Sequence, residues 1–281
     1  MSKASVRAAQ IIKVSEGSRS VQSDLLAVEE PLEIRLGFGL NQQREQKSIS
    51  VTMRTPGHDF ELALGFLFTE GIIKDKAEIV QIKYCTDTNS LENKFNIVRV
   101  ELNENANIDF VKLQRNFYTT SSCGVCGKSS IEAIRTACDI QTNNSFCITH
   151  TTLLSLPQAL RKQQNVFEYT GGLHGCALFN NSGELLLSRE DVGRHNALDK
   201  LIGAALGSGM IPLVNTVLLL SGRASFELIQ KAAMAGIPVV AAVGAPSSLA
   251  VQLAKDMNIT LVGFLRDERF NIYCGAKRIK M

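Results

Sequence analysis

Residues 216–264, TVLLLSGRASFELIQKAAMAGIPVVAAVGAPSSLAVQLAKDMNITLVGF, decide the fold class. Three continuous apolar runs, Thr216 to Leu220, Pro238 to Val243 and Thr260 to Phe264, are separated by two segments of helical spacing, Phe226 to Ala235 and Ser247 to Lys255. Short runs that are apolar at nearly every position suit strands buried on both faces. Strand, helix, strand, helix, strand at this spacing implies right-handed crossovers and a parallel sheet covered on both sides. Ligands of such sheets collect beyond the carboxyl ends of the strands. Those ends are Ser221-Gly222-Arg223-Ala224-Ser225, Gly244-Ala245-Pro246-Ser247-Ser248 and Arg266-Asp267-Glu268-Arg269. The first two are small hydroxyl-bearing loops that open helices and can present backbone amides to phosphate, and the third is basic. The stretch holds neither a Walker pattern nor GxGxxG, so it points to a nucleotide-like ligand without matching a standard phosphate loop.

Upstream, Leu156 to Gln164 reads as a helix started by Pro157. Tyr169 to Phe179 and Glu184 to Ser188 flank Asn180-Asn181-Ser182-Gly183, which predicts a β-hairpin. His174, set among glycines at the start of the first of these strands, reads either as a site residue or as a satisfied structural histidine. The hairpin leads through Arg189-Glu190-Asp191-Val192-Gly193-Arg194-His195-Asn196 into a helix carrying Ala197, Leu198, Leu201, Ile202 and Ala205. Two arginines, two carboxylates and a histidine within residues 189–195 form either a solvated helix start or the wall of an anion pocket.

The first 110 or so residues read as a small α+β unit without a catalytic constellation. Short strands are expected over Ala8 to Val14, Asp24 to Val28, Leu32 to Gly37 and Ser48 to Arg54, then a helix from Phe60 to Glu70 stopped by Gly71. Two further strands, about Val80 to Tyr84 and Asn96 to Leu102, flank a polar insert from Thr86 to Lys94. His58, just before the helix, suits capping or packing better than metal binding.

Between the two parts lies Thr119-Thr120-Ser121-Ser122-Cys123-Gly124-Val125-Cys126-Gly127-Lys128-Ser129-Ser130. A stretch with so few apolar side chains cannot bury itself, and thiols placed in such a loop are there to react rather than to pack. Ser129 to Cys138 reads as a helix that Ser129 or Ser130 could cap. The two thiols then precede a helix N-terminus and sit beside Lys128, and both features favour the thiolate.

Composition narrows the setting. The 281 residues are 20% charged and 45% hydrophobic, as in ordinary globular chains, with a formal charge of +3. Five basic residues, Arg266, Arg269, Lys277, Arg278 and Lys280, stand against Asp267 and Glu268 near the end. A local excess of that size suits a small anionic ligand, or a solvated tail, and not a nucleic acid, which needs a broad basic face. No apolar run approaches the about 18 residues of a membrane span, and no secretory leader is visible, so a cytoplasmic protein is expected. The seven cysteines are odd in number and scattered, unlike a disulfide framework.

A Cys-x-x-Cys pair has three common chemistries. A thioredoxin-like site should follow a strand and carry an aromatic before the first cysteine, and Thr119 to Ser122 offers neither. A closed zinc site needs four ligands, and Cys138, Cys147 and His150 lie at spacings of no familiar finger. Sulfur relay needs an exposed, activated cysteine near an acceptor pocket, and both are legible here.

Taken in order, the 119–127 stretch, Thr170-Gly171-Gly172-Leu173-His174, Arg189 through Lys200, Ser221-Gly222-Arg223 and Gly263-Phe264-Leu265-Arg266 resemble the FdhD family of formate dehydrogenase accessory sulfurtransferases. The resemblance runs from about residue 50 to the end. It implies a sulfur carrier that takes sulfur from a cysteine desulfurase and passes it to the molybdenum cofactor, in its bis-molybdopterin guanine dinucleotide form, before insertion into formate dehydrogenase. By the same resemblance Cys123 bears the persulfide, Cys126 is its partner, and Phe264, Leu265, Arg266, Asp267, Glu268 and Arg269 form the segment that holds the guanine dinucleotide. Ser221, Gly222, Arg223, His174 and Arg194 join the expected cofactor site, with Arg189 and the Ser247 loop as further phosphate candidates. The family's larger domain is similar to the cytidine deaminase fold, yet His174 is followed by Gly175-Cys176 where a zinc deaminase has His-x-Glu, so deamination is not expected. The expected architecture is therefore α/β: an α+β domain over 1–115, a dithiol loop over 116–130, and a cytidine deaminase-like domain with a partly parallel sheet over 131–281. A cofactor with two nucleotide ends hints at a homodimer. The competing reading is a chaperone that binds the molybdenum cofactor without sulfur chemistry, its dithiol regulatory or zinc-binding.

Overall fold

The computed structural model describes residues 4–40, 43–85, 95–104, 106, 145–266 and 268–281. Its centre is the sheet anticipated from residues 216–264. Strands β10 (Val217–Leu220), β11 (Val239–Ala242) and β12 (Thr260–Arg266) run parallel, with Val217 opposite Val239 and Val239 opposite Thr260. Antiparallel strands extend both sides. On one, the hairpin β8 (His174–Phe179) and β9 (Leu185–Asp191) joins through β8; on the other, β13 (Arg269–Cys274) folds back on β12. The order is β13-β12-β11-β10-β8-β9, so only the middle is parallel.

Strand alternation sends Leu218, Leu220, Val240, Ala242 and Leu261 to one side of this sheet and Val217, Leu219, Val239, Ala241 and Val262 to the other, all buried. The crossover helices α5 (Phe226–Met234) and α6 (Ser248–Asp256) cover the first face together with α4 (Arg194–Gly207). Both crossovers step in the same direction along the sheet, which puts both helices on one side. Helix α2 (His150–Arg161) covers the other face with Leu153, Leu156 and Leu160. It starts earlier than its sequence suggested. Thr149 caps it by accepting from Thr152 N at 3.1 Å, and Pro157 lies inside the helix instead of opening it. A short helix α3 (Asn165–Thr170), ended by Gly171 at φ 63°, takes the residues expected to begin the hairpin.

The amino-terminal part builds a four-stranded sheet, β4-β3-β6-β5, from β3 (Glu30–Phe38), β4 (Glu45–Arg54), β5 (Ile79–Tyr84) and β6 (Ile97–Leu102). Helix α1 (Asp59–Thr69) packs between this sheet and α4. One buried cluster runs from Leu32, Ile34 and Val98 through Leu62 and Leu67 to Leu198, Leu201 and Leu218. The core thus continues from the first part into the second; the expected boundaries at 115 and 131 fall outside the described residues. A two-stranded pair joins β7 (Ile148–Thr149) to β14 (Ile279–Lys280).

Before all of these comes a ribbon of two ten-residue strands, β1 (Val6–Ser15) and β2 (Ser18–Ala27), turned at Glu16-Gly17, both at positive φ. The register pairs Ile12 with Val21 and Ala8 with Leu25, so one face carries Ile12, Val14, Val21 and Leu25. All four are exposed, Val21 most at 73%.

Candidate functional site

The carboxyl ends of the three parallel strands are knitted into one rim. Gly244 N donates to Gly222 O at 2.9 Å, Ala224 N to Ala245 O at 3.2 Å, Ser247 N to Ala224 O at 3.0 Å and Phe264 N to Gly244 O at 3.0 Å. Small residues are required for this. A Cβ on Gly244 would stand 2.9 Å from Gly222 O, and one on Gly263 would stand 2.8 Å from Pro246 Cδ. The two expected serines serve the frame: Ser221 Oγ accepts from Gly175 N at 2.9 Å, and Ser247 Oγ caps α6 by accepting from Ala250 N at 3.2 Å.

Over the β8 and β10 end of the rim, the sequence-predicted His174, Arg194, Gly222 and Arg223 come together with His195. A Cβ on Gly222 would lie 3.3 Å from His174 Nδ1, so the imidazole rests against that glycine. The His174 ring feels Arg194, His195 and Arg223 as repelling charges and Asp191 as an attracting one. Burial, then those three positive groups, hold it below the usual histidine range. Arg194 Nε is buried and has no hydrogen-bond partner among the described residues. A buried guanidinium nitrogen without an acceptor is costly, and it marks where an anion can be received.

Carboxylates near this cluster are engaged. Asp191, fully buried, lies 2.6 Å from Lys200 Nζ and accepts from Thr55 N (3.1 Å), Gly193 N (2.8 Å) and Asn196 Nδ2 (3.2 Å). Asn196 also donates to Met53 O at 2.7 Å, so the first turn of α4, which carries Arg194, is fixed to the end of β4. Glu190 accepts from Val166 N and Phe167 N, both at 3.1 Å, at the start of α3. Glu227, in the first turn of α5, lies 3.6 Å from His195 Nε2, which is also 3.3 Å from Ser225 Oγ. The bond to His195 pulls the Glu227 carboxyl down to about 2, against the opposing effect of burial.

Arg189 is not part of this site. Its guanidinium forms a two-point pair with Glu61 of α1, with Nη2 to Oε1 at 2.7 Å. In β9, Arg189 lies opposite Cys176 on the strand, and pairing with a helix carboxylate 128 positions earlier left no signal in the local sequence. The Ser225, His195 and Glu227 group was also missed, although Ser225-x-Glu227 at a helix start is a legible sign.

At the other end of the rim, Phe264 adopts φ 53°, in the left-handed region, and is 37% exposed. A bulky residue held there carries backbone strain, and the β12 to β13 pairing is irregular between Gly263 and Arg266. Arg266 and Arg269 face each other across that hairpin, and both are exposed, as is Glu268. Leu265 differs from the expectation. It is fully buried against the α2 side of the sheet together with Val262, three positions earlier, because the irregularity at Phe264 breaks the strand alternation and turns the next side chain inward. Three interstrand steps separate β8 from β12, roughly 14 Å at about 4.8 Å each. Cys123 and Cys126 lie outside the described residues, as do Asp267 and the helix expected over Ser129 to Cys138.

Comparison with known proteins follows the same lines. A model described as the FdhD/NarQ family matches residues 27–280. A protein of Streptomyces avermitilis named sulfur carrier protein FdhD is 51% identical over 97% of this chain and 95% of its own. One of the same name from Sulfolobus acidocaldarius is 40% identical over 98% of this chain and 99% of its own. A solved Desulfotalea psychrophila structure, described as that of a formate dehydrogenase accessory protein, superposes with a TM-score of 0.72 at 26% identity, covering 98% of this chain and 99% of its own.

Proposed function

The chain belongs to the FdhD/NarQ family, and from that premise we propose that it is a sulfur carrier serving formate dehydrogenase, with the molybdenum cofactor as the substrate it sulfurates. Its relatives' names supply the sulfur chemistry, and the unpartnered Arg194 Nε within a cationic rim supports a phosphate-bearing cargo. We read the β8 to β13 sheet as the cytidine deaminase-like unit expected from the sequence, with its ligand edge turned to nucleotide binding.

Cys123 as thiolate attacks the outer sulfur of a cysteine desulfurase persulfide. A new S–S bond forms on Cys123, the old one breaks, and the donor cysteine leaves as thiolate. Cys126 then attacks the Cys123 sulfur. As the Cys123–Cys126 disulfide forms, the bond from Cys123 to the outer sulfur breaks and its electron pair leaves with that sulfur, which departs as sulfide to the molybdenum cofactor while the two cysteines are oxidised. A later thiol reductant resets the pair. Among the described residues, Arg194, His195 and Arg223 would neutralise cofactor phosphates at one end of the rim, and Phe264, Arg266 and Arg269 would hold the guanine nucleotide at the other. This chemistry needs reduced thiols, which suits a cytoplasmic setting.

Calorimetry with guanosine diphosphate tests the rim directly. Arg194→Gln and Arg223→Gln are each expected to weaken binding by about 10- to 100-fold, the value of one or two charge-assisted bonds. Arg189→Gln, whose partner is Glu61, should leave affinity within about threefold. Equal losses at all three positions would count against the site.

The cofactor's two nucleotide ends call for two such rims, hence a homodimer. The bare apolar face of the β1–β2 ribbon suits contact with a second copy, since an isolated two-stranded ribbon is marginal in water. Ile12→Lys with Val21→Lys is expected to convert the dimer to monomer in sedimentation, with folding unchanged because both side chains are exposed. A double variant that remains dimeric would place the interface elsewhere.

A further inference from the structure

His174 has an unusual set of neighbours for a histidine that stays half-buried. Its ring rests against Gly222, the residue before Arg223, and its backbone pairs across the hairpin with Asp191, while Arg194 and His195 at the start of α4 act on its charge as Arg223 does. Asp191 is the one acidic group among them, and its charge is already directed at Lys200 Nζ, 2.6 Å away and itself buried. His195 is shared with Glu227 at 3.6 Å. No ion pair is formed by Arg194 or Arg223 among the described residues, so their charges stand uncompensated beside a ring whose acidic neighbour, Asp191, is already paired with Lys200. In the empty rim that field and the ring's burial keep the imidazole neutral.

A phosphate group entering the rim reverses the balance. It cancels the three charges that repel the proton, and it places its own negative oxygens beside the ring. The change in free energy acts on His174 more than on the arginines, because the arginines are charged in both states. We propose that a phosphate-bearing ligand is bound at this rim together with one proton, which His174 takes up. The proton comes from solvent, adds to the free ring nitrogen and returns to solvent on release; no bond is broken in the ligand. This rests on the reading that the rim receives nucleotide phosphates, and adds to it a residue that senses occupancy.

The sign follows from linkage. The loaded ring holds its proton to higher pH than the empty ring does, so affinity rises as pH falls between the two values. It is flat below the lower value, where both forms are protonated, and above the upper one, where neither is. Cargo release is accordingly favoured at the alkaline side of that window.

Calorimetry of guanosine diphosphate binding near pH 7, in two buffers of different ionisation enthalpy, counts the protons exchanged. Wild type should take up a substantial fraction of a proton, and His174→Gln should still bind, several-fold more weakly, with that uptake gone. Subtracting the variant removes any contribution from the ligand's own phosphate. His195→Gln should keep the uptake. In parallel, the His174 Cε1–H resonance should titrate at higher pH with ligand than without. Binding with no difference between wild type and His174→Gln overturns the proposal and leaves the nucleotide rim standing. Absence of any guanosine diphosphate binding overturns both.

Discussion

Cys123→Ala is expected to abolish sulfur loading and formate dehydrogenase activation together. Incubated with a cysteine desulfurase and cysteine, the wild type should gain one sulfur atom on the peptide spanning residues 119–128, and the variant should show none above background. Two of the described cysteines are poor substitutes. Cys176 is fully buried, and burial pushes its thiol far above the ordinary range; Cys274 is half-buried, and burial raises its thiol too. The other two, Cys85 after β5 and Cys147 before β7, are partly exposed, and the same peptide map reads any sulfur they take up. Cys126→Ala should still load sulfur on Cys123, since the first transfer needs one thiolate. It should fail to expel that sulfur as sulfide, since the electrons for the second step come from its thiol. Mass spectrometry and enzyme activation separate the readings. A variant at Cys123 that cannot carry sulfur yet activates formate dehydrogenase would establish the cofactor-binding chaperone, and a wild type that gains no sulfur would end the relay.

How far the sequence revealed this molecule depends on the range of the interaction concerned. Strands β10 to β12 were legible because burial on both faces writes a continuous apolar run, and the rim followed because parallel strands put their carboxyl ends on one edge. Arg223 follows a carboxyl end on that edge, while His174 reaches it because β8 runs antiparallel and begins there, and Arg194 because β9 returns to it. Arg189 and Arg194 looked equivalent in a seven-residue cluster, but a strand ends and a helix begins between them, so the first turns to Glu61 and the second to the rim. Leu265 reads as part of a binding segment, yet the break in the pleat at Phe264 sends it inward. The start of α2 was lost to Pro157, a strong local signal, while the weaker Thr149 cap decided the boundary. What no local pattern could disclose is the meeting of α1 with α4, which joins residues more than a hundred positions apart.

That meeting sets the second large effect. Gly65 in α1 and Gly203 in α4 oppose each other so closely that a Cβ on Gly65 would overlap the carbonyl oxygen of Asp199, and one on Gly203 would overlap that of Glu61. The obstructing atoms are backbone, which cannot rotate aside, so any side chain forces the helices apart. Separation unpacks Leu62, Leu67, Leu198 and Leu201 and pulls Thr69 Oγ1 from Asp199, now 2.8 Å away, beside the buried Lys231. In an ordinary helix, glycine to alanine gains about 1 kcal/mol from propensity; here the overlap outweighs that gain. Gly203→Val is expected to cost more than about 4 kcal/mol, a large share of a typical total of about 5–15 kcal/mol, and to lower Tm by about 10 °C or more. Gly207→Ala, at the end of the same α4, is the control. Its Cβ would stand 3.8 Å from Leu64 Cδ2, an ordinary contact, and the variant should be neutral or slightly more stable. Thermal unfolding of Gly65→Ala, Gly203→Val and Gly207→Ala side by side decides the matter. If all three melted with the wild type, the two helices could not cross as closely as their glycines place them, and the shared core of the two parts would be looser than its packing implies.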